Sequence, residues 1–598
     1  MELKGTAFAW HFQPVFTGVW KRFLLKESQM SVPGFTTGLR LVSLLLAICP
    51  PACFSAPSPV TFAAFGNRII APGLSSGTSN GDTWDAAWST NDSLFFQHND
   101  GTGFNNGAYV HDRICRLQGT PQNPPSLAGA DLNPGILGTS LNGSPCYSTG
   151  LYEVDGVLYH NVCYSQQIPG AWVFHHTSII KSLDGGKTWI NHLGQVNVMP
   201  PDNTNQCMFP SESWGEVNFV KYGRGGAAPA VDNAQTYVYL CAAWADCRLA
   251  RVARADLPKL DSTKFQFYTG GDGMLDSSWT TNIARSVAVP TPSVAPTAMV
   301  YNEALGRYLM TSFSSDSWQQ PPIESTLRVM EAPHPWGPWT LLLDENVNNL
   351  EGDNLTWAFL MPKFTSADGQ KMWMSVAGRS PYGLQFMPIF LTTQPVHKQE
   401  AEAATVTGGF VTNSVPGYSG TGYVSGLNSI GKKCEFAFLI QTAGVYLIQF
   451  RYDTSAYRNL GLYVNGQSRG TLKLGKSEQV YATWTQLSLV TWLTAGTNVI
   501  GLQCVDSLGN INLDYLALAL YSTNTVPGLT LNSPNVPGSA AFNFDPIPGL
   551  TYTVDWNTNL ASPQAWQRLT NFSSMGSTVG VGQKSASPVG FLRIKAQP

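Results

Sequence analysis

Hydrophobic and polar positions follow a recurring pattern between about residues 60 and 395. Each unit has a Gly/Asn/Asp turn, a strand of aromatic and small residues, a second turn and another apolar strand. Five copies are recognised, and their marker residues lie 63, 80, 70 and 64 positions apart, at Leu94, Val157, Tyr237, Arg307 and Lys371. Hairpins at this spacing, with almost no helical periodicity, predict a five-bladed β-propeller over residues 57–395, with a β-sandwich or β-helix as the alternatives.

Composition agrees with an all-β chain of several domains. Charged residues make up 12% and aromatic residues 12% of the 598 positions, and Gly (57) and Pro (39) are plentiful. This balance favours strands and turns over long helices. The formal net charge is −3 and no basic block recurs, so nucleic acid is excluded as an expected partner.

The N-terminus has the pattern of an export signal. The apolar run "LVSLLLAI" follows Arg40, and small residues near Ser55 and Ala56 suit cleavage. Because the run is too short to span a bilayer, residues 1–56 are predicted to be a removable signal, with Met30 as the true start. The mature chain is then expected to be a secreted, periplasmic or cell-surface monomer without a transmembrane segment.

Eight of the ten cysteines lie beyond this signal, an even number that predicts disulfides in an exported protein. Cys241 could pair with Cys247 across a tight turn, and Cys434 could pair with Cys504. No CxxC pair or His/Cys cluster has zinc spacing, which argues against a transition-metal site, and no catalytic cofactor is expected.

The segment "SLDGGKTW" matches an Asp box through Ser182, Asp184, Gly186 and Trp189. This motif folds a hairpin turn on the outer part of a propeller blade, with Asp184 accepting backbone N–H groups and Trp189 packing beneath. Its expected role is structural. A single box is weak support for a sialidase.

Carboxyl and aromatic side chains concentrate on the predicted innermost strands. Hydrolysis of a glycosidic bond uses two carboxyl groups, so Asp82 and Glu216 are the leading catalytic pair and Asp100 is the third candidate. Trp84, Trp88 and Trp214 are candidates for stacking on sugar rings. The alternative is that each acid caps a turn or pairs with arginine, and that each tryptophan belongs to the core.

The segments "GDTWDAAWSTNDSLFFQHNDG", "SWGEVNFVKYG", "YVYLCAAW", "SVAPTAMVYNEALGRYLMT" and "APHPWGPWTLL" resemble the secreted bacterial proteins of the domain-of-unknown-function 4185 type. That group is related to five-bladed propeller glycoside hydrolases and includes endo-acting D-arabinofuranan hydrolases. The resemblance implies an exported hydrolase of a polysaccharide, with an arabinofuranose-type glycan among the candidates. A non-catalytic glycan-binding or adhesion protein and a polysaccharide lyase are the alternatives.

Residues 397–522 resemble carbohydrate-binding modules of families 6 and 35 through "QEAEAATVTGG", "GYSGTGYVSGL", "GLYVNGQ" and "NINLDYLAL". The resemblance implies a jelly-roll β-sandwich. It also implies a structural calcium ion held by Glu400, Glu402 and Asp514, and a sugar site formed by Tyr423, Trp484, Asn510 and Asn512. Residues 523–598 are expected to form a Pro/Gly/Ser/Asn-rich linker and a small C-terminal β-domain.

Overall fold

The computed structural model describes residues 58–597 with internal gaps. The gaps are 70–78, 105–106, 133–145, 148–149, 169–170, 202, 204, 243–245, 293–295, 316–324, 348–354, 380–381, 478–483, 524–528, 533–538, 545–546, 558–565, 574–578 and 585–590. The predicted export signal and the predicted start at Met30 lie outside the described residues. Residues 57–598 form one compact unit.

Short strands joined by turns make up the first part of the chain, as the turn-rich, β-branched and aromatic sequence predicts. They are β1 (Phe62–Phe65), β2 (Asn80–Trp88), β3 (Leu94–Gly103), β4 (Arg113–Thr120), β5 (Asn123–Asp131), β6 (Cys146–Tyr147), β7 (Leu151–Val154), β8 (Val157–Ile168), β9 (Ala171–Ser182), β10 (Val217–Lys221), β11 (Tyr237–Ala242), β12 (Leu249–Ala253), β13 (Gln266–Tyr268), β14 (Trp279–Thr280), β15 (Pro296–Asn302), β16 (Arg307–Ser315), β17 (Ser325–Ala332), β18 (Thr340–Asn346), β19 (Leu355–Met361), β20 (Lys371–Arg379) and β21 (Tyr382–Thr392).

These strands form the five blades of a β-propeller, in agreement with the prediction. Blade I is β2-β3-β4-β5, blade II is built on β6, β7, β8 and β9, blade III is β10-β11-β12-β13-β14, blade IV is β15-β16-β17-β18, and blade V is β19-β20-β21-β1. The innermost strands β2, β7, β10, β15 and β19 contact one another in chain order, and β19 contacts β2 to close the ring. Where β10 pairs directly with β15 the two run parallel, with Val220 opposite Met299.

Blade V is completed by the N-terminal strand rather than by a consecutive one. β1 runs antiparallel to β21, with Phe62 opposite Thr392 and Phe65 opposite Ile389. The sequence pattern did not predict this strand, because a four-residue run with no partner nearby in sequence resembles a linker.

A buried ion pair ties three blades together near the ring axis. Lys221 of β10 donates to Asp85 of β2, and both side chains are fully buried. Asp85 also accepts the backbone N–H of Leu151 at 3.0 Å, and Lys221 donates to the carbonyl oxygen of Ala86 at 2.8 Å. Every described polar atom of the pair therefore has a partner, as a buried ion pair requires.

The Asp box has its predicted geometry at the outer edge of blade II. Asp184 Oδ1 accepts the backbone N–H groups of Lys187 (3.1 Å) and Thr188 (2.9 Å). Trp189 is buried beneath the turn and donates from Nε1 to the carbonyl oxygen of Gly186 at 3.2 Å. All of its described side-chain interactions hold the turn in place, so its role is structural.

The second part of the chain is a sandwich of two sheets, formed by β22 (Val396–Glu400), β23 (Thr405–Thr407), β24 (Phe410–Thr412), β25 (Tyr423–Leu427), β26 (Lys433–Ile440), β27 (Gly444–Asp453), β28 (Arg458–Val464), β29 (Gln467–Leu474), β30 (Thr485–Leu493), β31 (Gly496–Cys504) and β32 (Ile511–Ser522). One sheet has the order β23-β26-β31-β28-β29, and the other contains β30, β27, β32, β25 and β24, with β22 also paired to β32. Their facing apolar side chains form one core.

The propeller and the sandwich share an interface of apolar contacts and hydrogen bonds. Apolar side chains of β1 pack against Leu447 and Ala517 of the sandwich. Ser488 of β30 donates from Oγ to Glu345 Oε2 at 2.8 Å and accepts the backbone N–H of Phe65 at 2.9 Å. The sandwich is therefore attached to blades IV and V by packed contacts in addition to the chain connection.

The last strands form two three-stranded sheets, which gives the small C-terminal β-domain that was predicted. They are β33 (Leu529–Asn532), β34 (Ser539–Phe544), β35 (Thr551–Asn557), β36 (Gln567–Ser573), β37 (Val579–Lys584) and β38 (Phe591–Gln597). The described helices are single 3-10 turns at Glu212–Trp214, Arg224–Gly226, Leu257–Lys259, Ser262–Lys264, Asp276–Ser278, Ile283–Arg285 and Ala401–Ala403. Within the described part of the chain, none is long and apolar enough to cross a bilayer.

The predicted disulfides are not formed. Cys241 and Cys247 are buried free thiols, and so are Cys434 and Cys504. On paired strands Cys434 lies opposite Leu502 rather than opposite Cys504. Each predicted pair therefore lies within one module, but neither pair is bonded in the described part of the chain.

Candidate active site

The predicted catalytic acids lie on one face of the propeller. The inner strands run in the same direction, so all of them begin on the face that we call the entry face. Asp82 is the third residue of β2, and Glu216 immediately precedes β10. Asp100 lies near the end of β3, which is antiparallel to β2 and therefore returns to the same face. The structure thus brings acids of blades I and III to one end of the ring.

Asp82 is held in an irregular part of β2. The β2–β3 register shifts between Asn80 and Asp82 and again between Asp82 and Asp85. Thr83, with φ of 48°, is left-handed, and so is Asp100 across the sheet. Left-handed non-glycine residues cost of order 1–3 kcal/mol each and collect at functional sites, and bulges re-aim side chains. The Asp82 and Asp100 carboxyl groups therefore lie in a locally strained and irregular part of the β2–β3 pair.

Asp82 and Asp100 form a coupled pair of carboxyl groups. Burial raises the pKa of Asp82 well above its usual value, and the neighbouring Asp100 raises it further, whereas hydrogen bonds with Tyr382 and Thr83 oppose the rise. Tyr382, the first residue of β21, also donates from its hydroxyl to the backbone oxygen of Asp100 at 3.0 Å. A blade V side chain therefore links the two blade I acids.

Three ring-bearing side chains, His111, Tyr109 and Tyr147, lie near Asp100, the more exposed of the two blade I acids. His111 Nδ1 lies 2.6 Å from Asp100 Oδ1, and its ring contacts both Tyr109 (5.7 Å between centroids) and Tyr147 (5.3 Å). The pKa of Tyr109 is raised to about 12 by burial and by Asp100, and the same causes raise the pKa of Tyr147. These tyrosines are neutral hydrogen-bonding groups at physiological pH.

Glu216 reaches the entry face from blade III. Its side chain is 4% exposed, and burial alone raises its pKa to about 8. A chain of contacts on the entry face connects Glu216 to the blade I acids. The ring of Tyr147 packs on the ring of Phe174, with 6.2 Å between centroids. The Phe174 backbone in turn contacts Gly215, which precedes Glu216. Glu216 is therefore a protonated carboxyl group at neutral pH on the same face as Asp82 and Asp100.

The tryptophan predictions need correction. Trp84 and Trp214 are fully buried. The ring of Trp84 packs among Phe96, His98 and Phe104. The ring of Trp214 packs against Phe209 and Phe267. Both are core residues, because no ring face is left for a sugar. An alternating strand with an inward-facing tryptophan gives the same letters as a sugar platform, so the sequence could not separate the two roles.

Trp88 is partly exposed but lies at the other end of β2 from Asp82. Asp82 lies opposite Asn99 and Trp88 opposite Leu94 on β3, so they are separated by five residues of the partner strand, about 17 Å. Trp88 Nε1 donates to Asp92 at 2.7 Å, in the turn after β2. Trp88 therefore belongs to the opposite face of the propeller and cannot contact a sugar held by Asp82.

In the sandwich, the predicted sugar-binding residues form two separate groups. Tyr423 and Trp484 are both buried, with ring centroids 5.2 Å apart, and Trp484 donates from Nε1 to the Pro416 oxygen at 2.9 Å. Asn510 Nδ2 donates to Asn512 Oδ1 at 2.7 Å, and Asn512 in turn donates to Asp453 at 2.8 Å. These side chains brace the loops, while the half-buried Tyr418 lies against Tyr423 at the loop surface.

The predicted calcium ligands lie around one glycine. A Cβ at Gly420, which has φ of 67°, would lie 2.3 Å from Glu402 Oε1 and about 3 Å from the Glu400 side chain. Ser419 joins the acids, donating from Oγ to Glu400 Oε2 at 2.7 Å and from its backbone N–H to Asp514 Oδ1 at 2.8 Å.

The three carboxylates around Gly420 carry one more negative charge than the two neighbouring cationic side chains neutralise. Lys398 pairs with Glu400 at 2.8 Å and Arg451 pairs with Asp514 at 2.7 Å. Glu402 Oε2 is buried without a hydrogen-bond partner in the structure. Carboxylate oxygens are the ligands that calcium prefers, so the residues fit the ion, with Glu402 Oε2 as the oxygen that makes no hydrogen bond.

Comparison with known proteins supports the second module most directly. Residues 397–521 match the family model "Carbohydrate binding module (family 35)". A solved family 35 module from Clostridium thermocellum is 28% identical, with a TM-score of 0.20, and covers 21% of this chain and 97% of its own. An exo-β-1,3-galactanase structure from Phanerochaete chrysosporium, with β-1,3-galactotriose, is 11% identical, with a TM-score of 0.35, over 76% of this chain and 100% of its own.

Curated relatives match over shorter stretches. A 1,6-α-glucosyltransferase of Sporosarcina globispora is 32% identical over 135 residues, which is 22% of this chain and 10% of the relative. An exo-β-D-glucosaminidase of Amycolatopsis orientalis is 30% identical over 183 residues, 29% of this chain and 17% of the relative. The chain thus spans a small part of the length of these relatives.

Sequence reasoning missed the residues that surround the acids. Tyr382, Tyr147, Tyr109 and His111 come from three blades and lie close together only in the folded ring. Tyr382 begins β21, Tyr147 ends β6, and Tyr109 and His111 lie in the connection between β3 and β4, so the only signal in the sequence was a polar aromatic residue at or beside a strand end.

Proposed function

We propose that the propeller is a glycoside hydrolase that cleaves a polysaccharide on its entry face, and that the sandwich binds the same class of polymer. The observation that carries the proposal is the contrast between two carboxyl sites. Glu216 is an isolated, buried carboxyl group whose raised pKa keeps its proton at neutral pH, whereas Asp82, whose pKa is also raised, lies beside the partly exposed Asp100, so that this pair can hold one proton and one negative charge between them. Enzymes that hydrolyse glycosides need one carboxyl group that gives a proton and another that is ionised.

In the proposed reaction, Glu216 donates its proton to the glycosidic oxygen as the bond to the leaving sugar breaks. The Asp82–Asp100 pair acts from blade I, either accepting a proton from the attacking water or attacking the sugar directly. Tyr382 holds the pair together through hydrogen bonds to both residues. Tyr147 and Tyr109 are placed to bind sugar hydroxyl groups beside it.

The test is a screen of the secreted protein against plant, algal and bacterial polysaccharides, with arabinofuranan-type glycans included. On an active substrate, Glu216→Gln should lower kcat by about 10²- to 10⁴-fold, the usual effect of losing a general acid. Asp82→Asn should also abolish turnover. Glu212→Gln is the matched control, because Glu212 is exposed on the adjoining 3-10 turn. Full activity in the Glu216 and Asp82 variants would refute the assignment.

A lyase is the second candidate because tyrosines and His111 surround the acids. A lyase uses such a group to remove a proton next to a uronate carboxylate. The raised pKa values of Tyr109, Tyr147 and Tyr382 disfavour the tyrosinate form that this step requires, so hydrolysis is favoured. Products that absorb in the ultraviolet would identify a lyase.

A non-catalytic glycan-binding protein predicts a different outcome. The polymer would then be retained by the sandwich, no reducing ends would appear with any substrate, and amide variants of the acids would change nothing. For a catalytic protein, removal of the sandwich site should raise KM on polymer much more than on short oligosaccharides, since the module raises the local substrate concentration.

The calcium ion belongs to this proposal as a structural part of the sandwich. Glu400, Glu402 and Asp514 would hold it, and its charge would stabilise the loops that carry Tyr418 and Tyr423. Calcium should raise the melting temperature of the wild-type chain, and Glu402→Gln should remove this effect without changing hydrolysis of short oligosaccharides.

A further inference from the structure

Three potential metal ligands converge inside blade I, on three neighbouring strands. His98 lies on β3, Cys115 on β4 and Asp131 at the end of β5. One donor atom from each residue lies within 4.8 Å of the others, and in the described residues this is the one group of three or more such donors. His98 and Cys115 are fully buried.

The histidine has a free lone pair directed away from its other contacts. Its Nδ1 lies 3.4 Å from the backbone oxygen of Asn99, a contact that favours the tautomer with the proton on Nδ1. Nε2 is buried and has no hydrogen-bond partner in the structure. Trp84 covers the ring, with 4.7 Å between centroids, so the imidazole is locked in this position. A buried, unpartnered acceptor is costly unless something binds it.

The sulfur and the carboxylate already approach each other. Cys115 donates its S–H to Asp131 Oδ1 at 3.3 Å. The other oxygen, Oδ2, accepts from Arg113 Nη1 at 3.0 Å, and a Cβ at Gly103 would lie 2.4 Å from Oδ1. A metal ion between sulfur and Oδ1 would take the place of the thiol proton, which is released to solvent.

We infer that His98 Nε2, Cys115 Sγ and Asp131 Oδ1 are the three protein ligands of a zinc ion inside blade I. A nitrogen, sulfur and oxygen donor set suits zinc and excludes calcium, which binds oxygen ligands. Zinc bonds of about 2.0–2.3 Å place tetrahedral donors about 3.5 Å apart, so the three side chains need to close by about 1 Å.

The surroundings match those of protein zinc ligands. A ligating histidine normally donates its second N–H to a backbone carbonyl, as His98 does to Asn99, and a ligating carboxylate is held by an outer hydrogen bond, as Arg113 holds Asp131. The positive charge of Arg113 opposes the ion. The thiolate formed on binding, together with the Asp131 carboxylate, compensates the two charges of zinc.

The ion would lie directly behind the strand that carries the proposed catalytic acid. Asn99, which follows His98, pairs with Asp82 across the sheet, and the Gly81 backbone packs against His98 Nδ1. Zinc would thus fasten β3, β4 and β5 together beneath Asp82, which is a positioning role and no part of bond cleavage.

The experiment measures metal in the full exported chain, so its outcome is independent of hydrolysis. Protein purified without chelator and given zinc, then desalted, should hold one zinc per chain by elemental analysis. Cobalt added to metal-stripped protein should give a thiolate-to-cobalt charge-transfer band. Cys115→Ala should lose the band and the zinc, and His98→Gln should weaken binding by at least tenfold.

Cys241→Ala is the matched control, since it removes a buried free thiol in blade III and should leave metal content unchanged. Glu402→Gln separates the zinc from any ion held by the sandwich. Substoichiometric zinc in the wild type after reconstitution, or no thiolate-to-cobalt band, would overturn the proposal even if the Cys115 variant fails to fold.

Discussion

The replacement Glu216→Gln should make the protein more stable and less active, with a dependence on pH that only an ionisable buried acid gives. The side chain is 4% exposed, and burial raises its pKa to about 8 from 4.5. In the unfolded chain the carboxyl group ionises above about pH 4.5, whereas in the folded chain it keeps its proton until about pH 8. Wild-type stability is therefore lost as pH rises between these two values.

The magnitude follows from the two pKa values. Each pH unit in this window costs the wild type roughly 1.4 kcal/mol of unfolding free energy, about 3 kcal/mol at pH 7 and about 5 kcal/mol above pH 8. The glutamine amide has its own cost of burial, but that cost does not vary with pH. The difference in stability between Glu216→Gln and wild type should thus grow steadily from pH 5 to pH 8.

The assay is urea unfolding followed by tryptophan fluorescence at pH 5, 6, 7 and 8, with Glu212→Gln as the exposed control. In parallel, the wild-type pH–rate profile should fall above about pH 8 as Glu216 loses its proton, and the residual activity of Glu216→Gln should lack that limb. Stability profiles that run parallel for wild type and Glu216→Gln would refute both the protonation state and the acid role built on it.

Three further predictions concern groups away from the acid. Lys221→Met should destabilise the propeller by about 3–5 kcal/mol, because it leaves Asp85 charged and buried, and adding Asp85→Asn should recover part of the loss in thermal unfolding. Trp214→Ala should cost about 3–5 kcal/mol in urea unfolding but leave KM unchanged in the folded fraction, as expected of a core residue. Glu345→Gln should stabilise the propeller–sandwich contact increasingly as pH rises from about 5 to about 8, since burial raises the pKa of Glu345 to about 8 and the wild type loses stability over this window, and limited proteolysis between the modules at pH 8 should be slower than in wild type.

The blade architecture was predictable because each blade repeats a local pattern. The five marker residues of the predicted repeat, Leu94, Val157, Tyr237, Arg307 and Lys371, are the first residues of β3, β8, β11, β16 and β20, the second strand of each blade. Strand β1 was not predictable, since its partner lies more than three hundred residues away and four apolar residues carry no period. The pairing of neighbouring hairpin strands is determined by local sequence, whereas the pairing of β1 with β21 depends on the complete fold.

The candidate site was predicted in part. The positions of Asp82, Asp100 and Glu216 on one face follow from their place in the repeat, which is sequence information. Their partners do not, because Tyr382 approaches from the last blade. The predicted role of Trp84 in stacking on sugar was wrong because Trp84 is buried in the core. The sequence could not show this, since a tryptophan that faces the core and one that faces a ligand follow the same alternation along a strand.

The zinc ligands illustrate the limit of spacing rules. Short metal motifs are recognised when ligands share one turn or hairpin, but here each ligand belongs to a different strand of a sheet. Positions 98, 115 and 131 become neighbours because consecutive antiparallel strands return to the same height, with Cys115 opposite Asp131 and His98 opposite Arg113. The sheet register, and not the sequence interval, defines the motif.

The pairing of strand β1 also constrains the order in which the chain can fold. This strand is synthesised before every blade, yet its hydrogen-bonding edge finds β21 only after residue 392 has emerged, and its other apolar contacts wait for the sandwich. Until then the outer edge of blade V, strand β21, is open and can pair with another chain. Blade V is therefore completed late, and a chain shortened past residue 65 would expose both an unpaired β21 and the sandwich face that β1 covers.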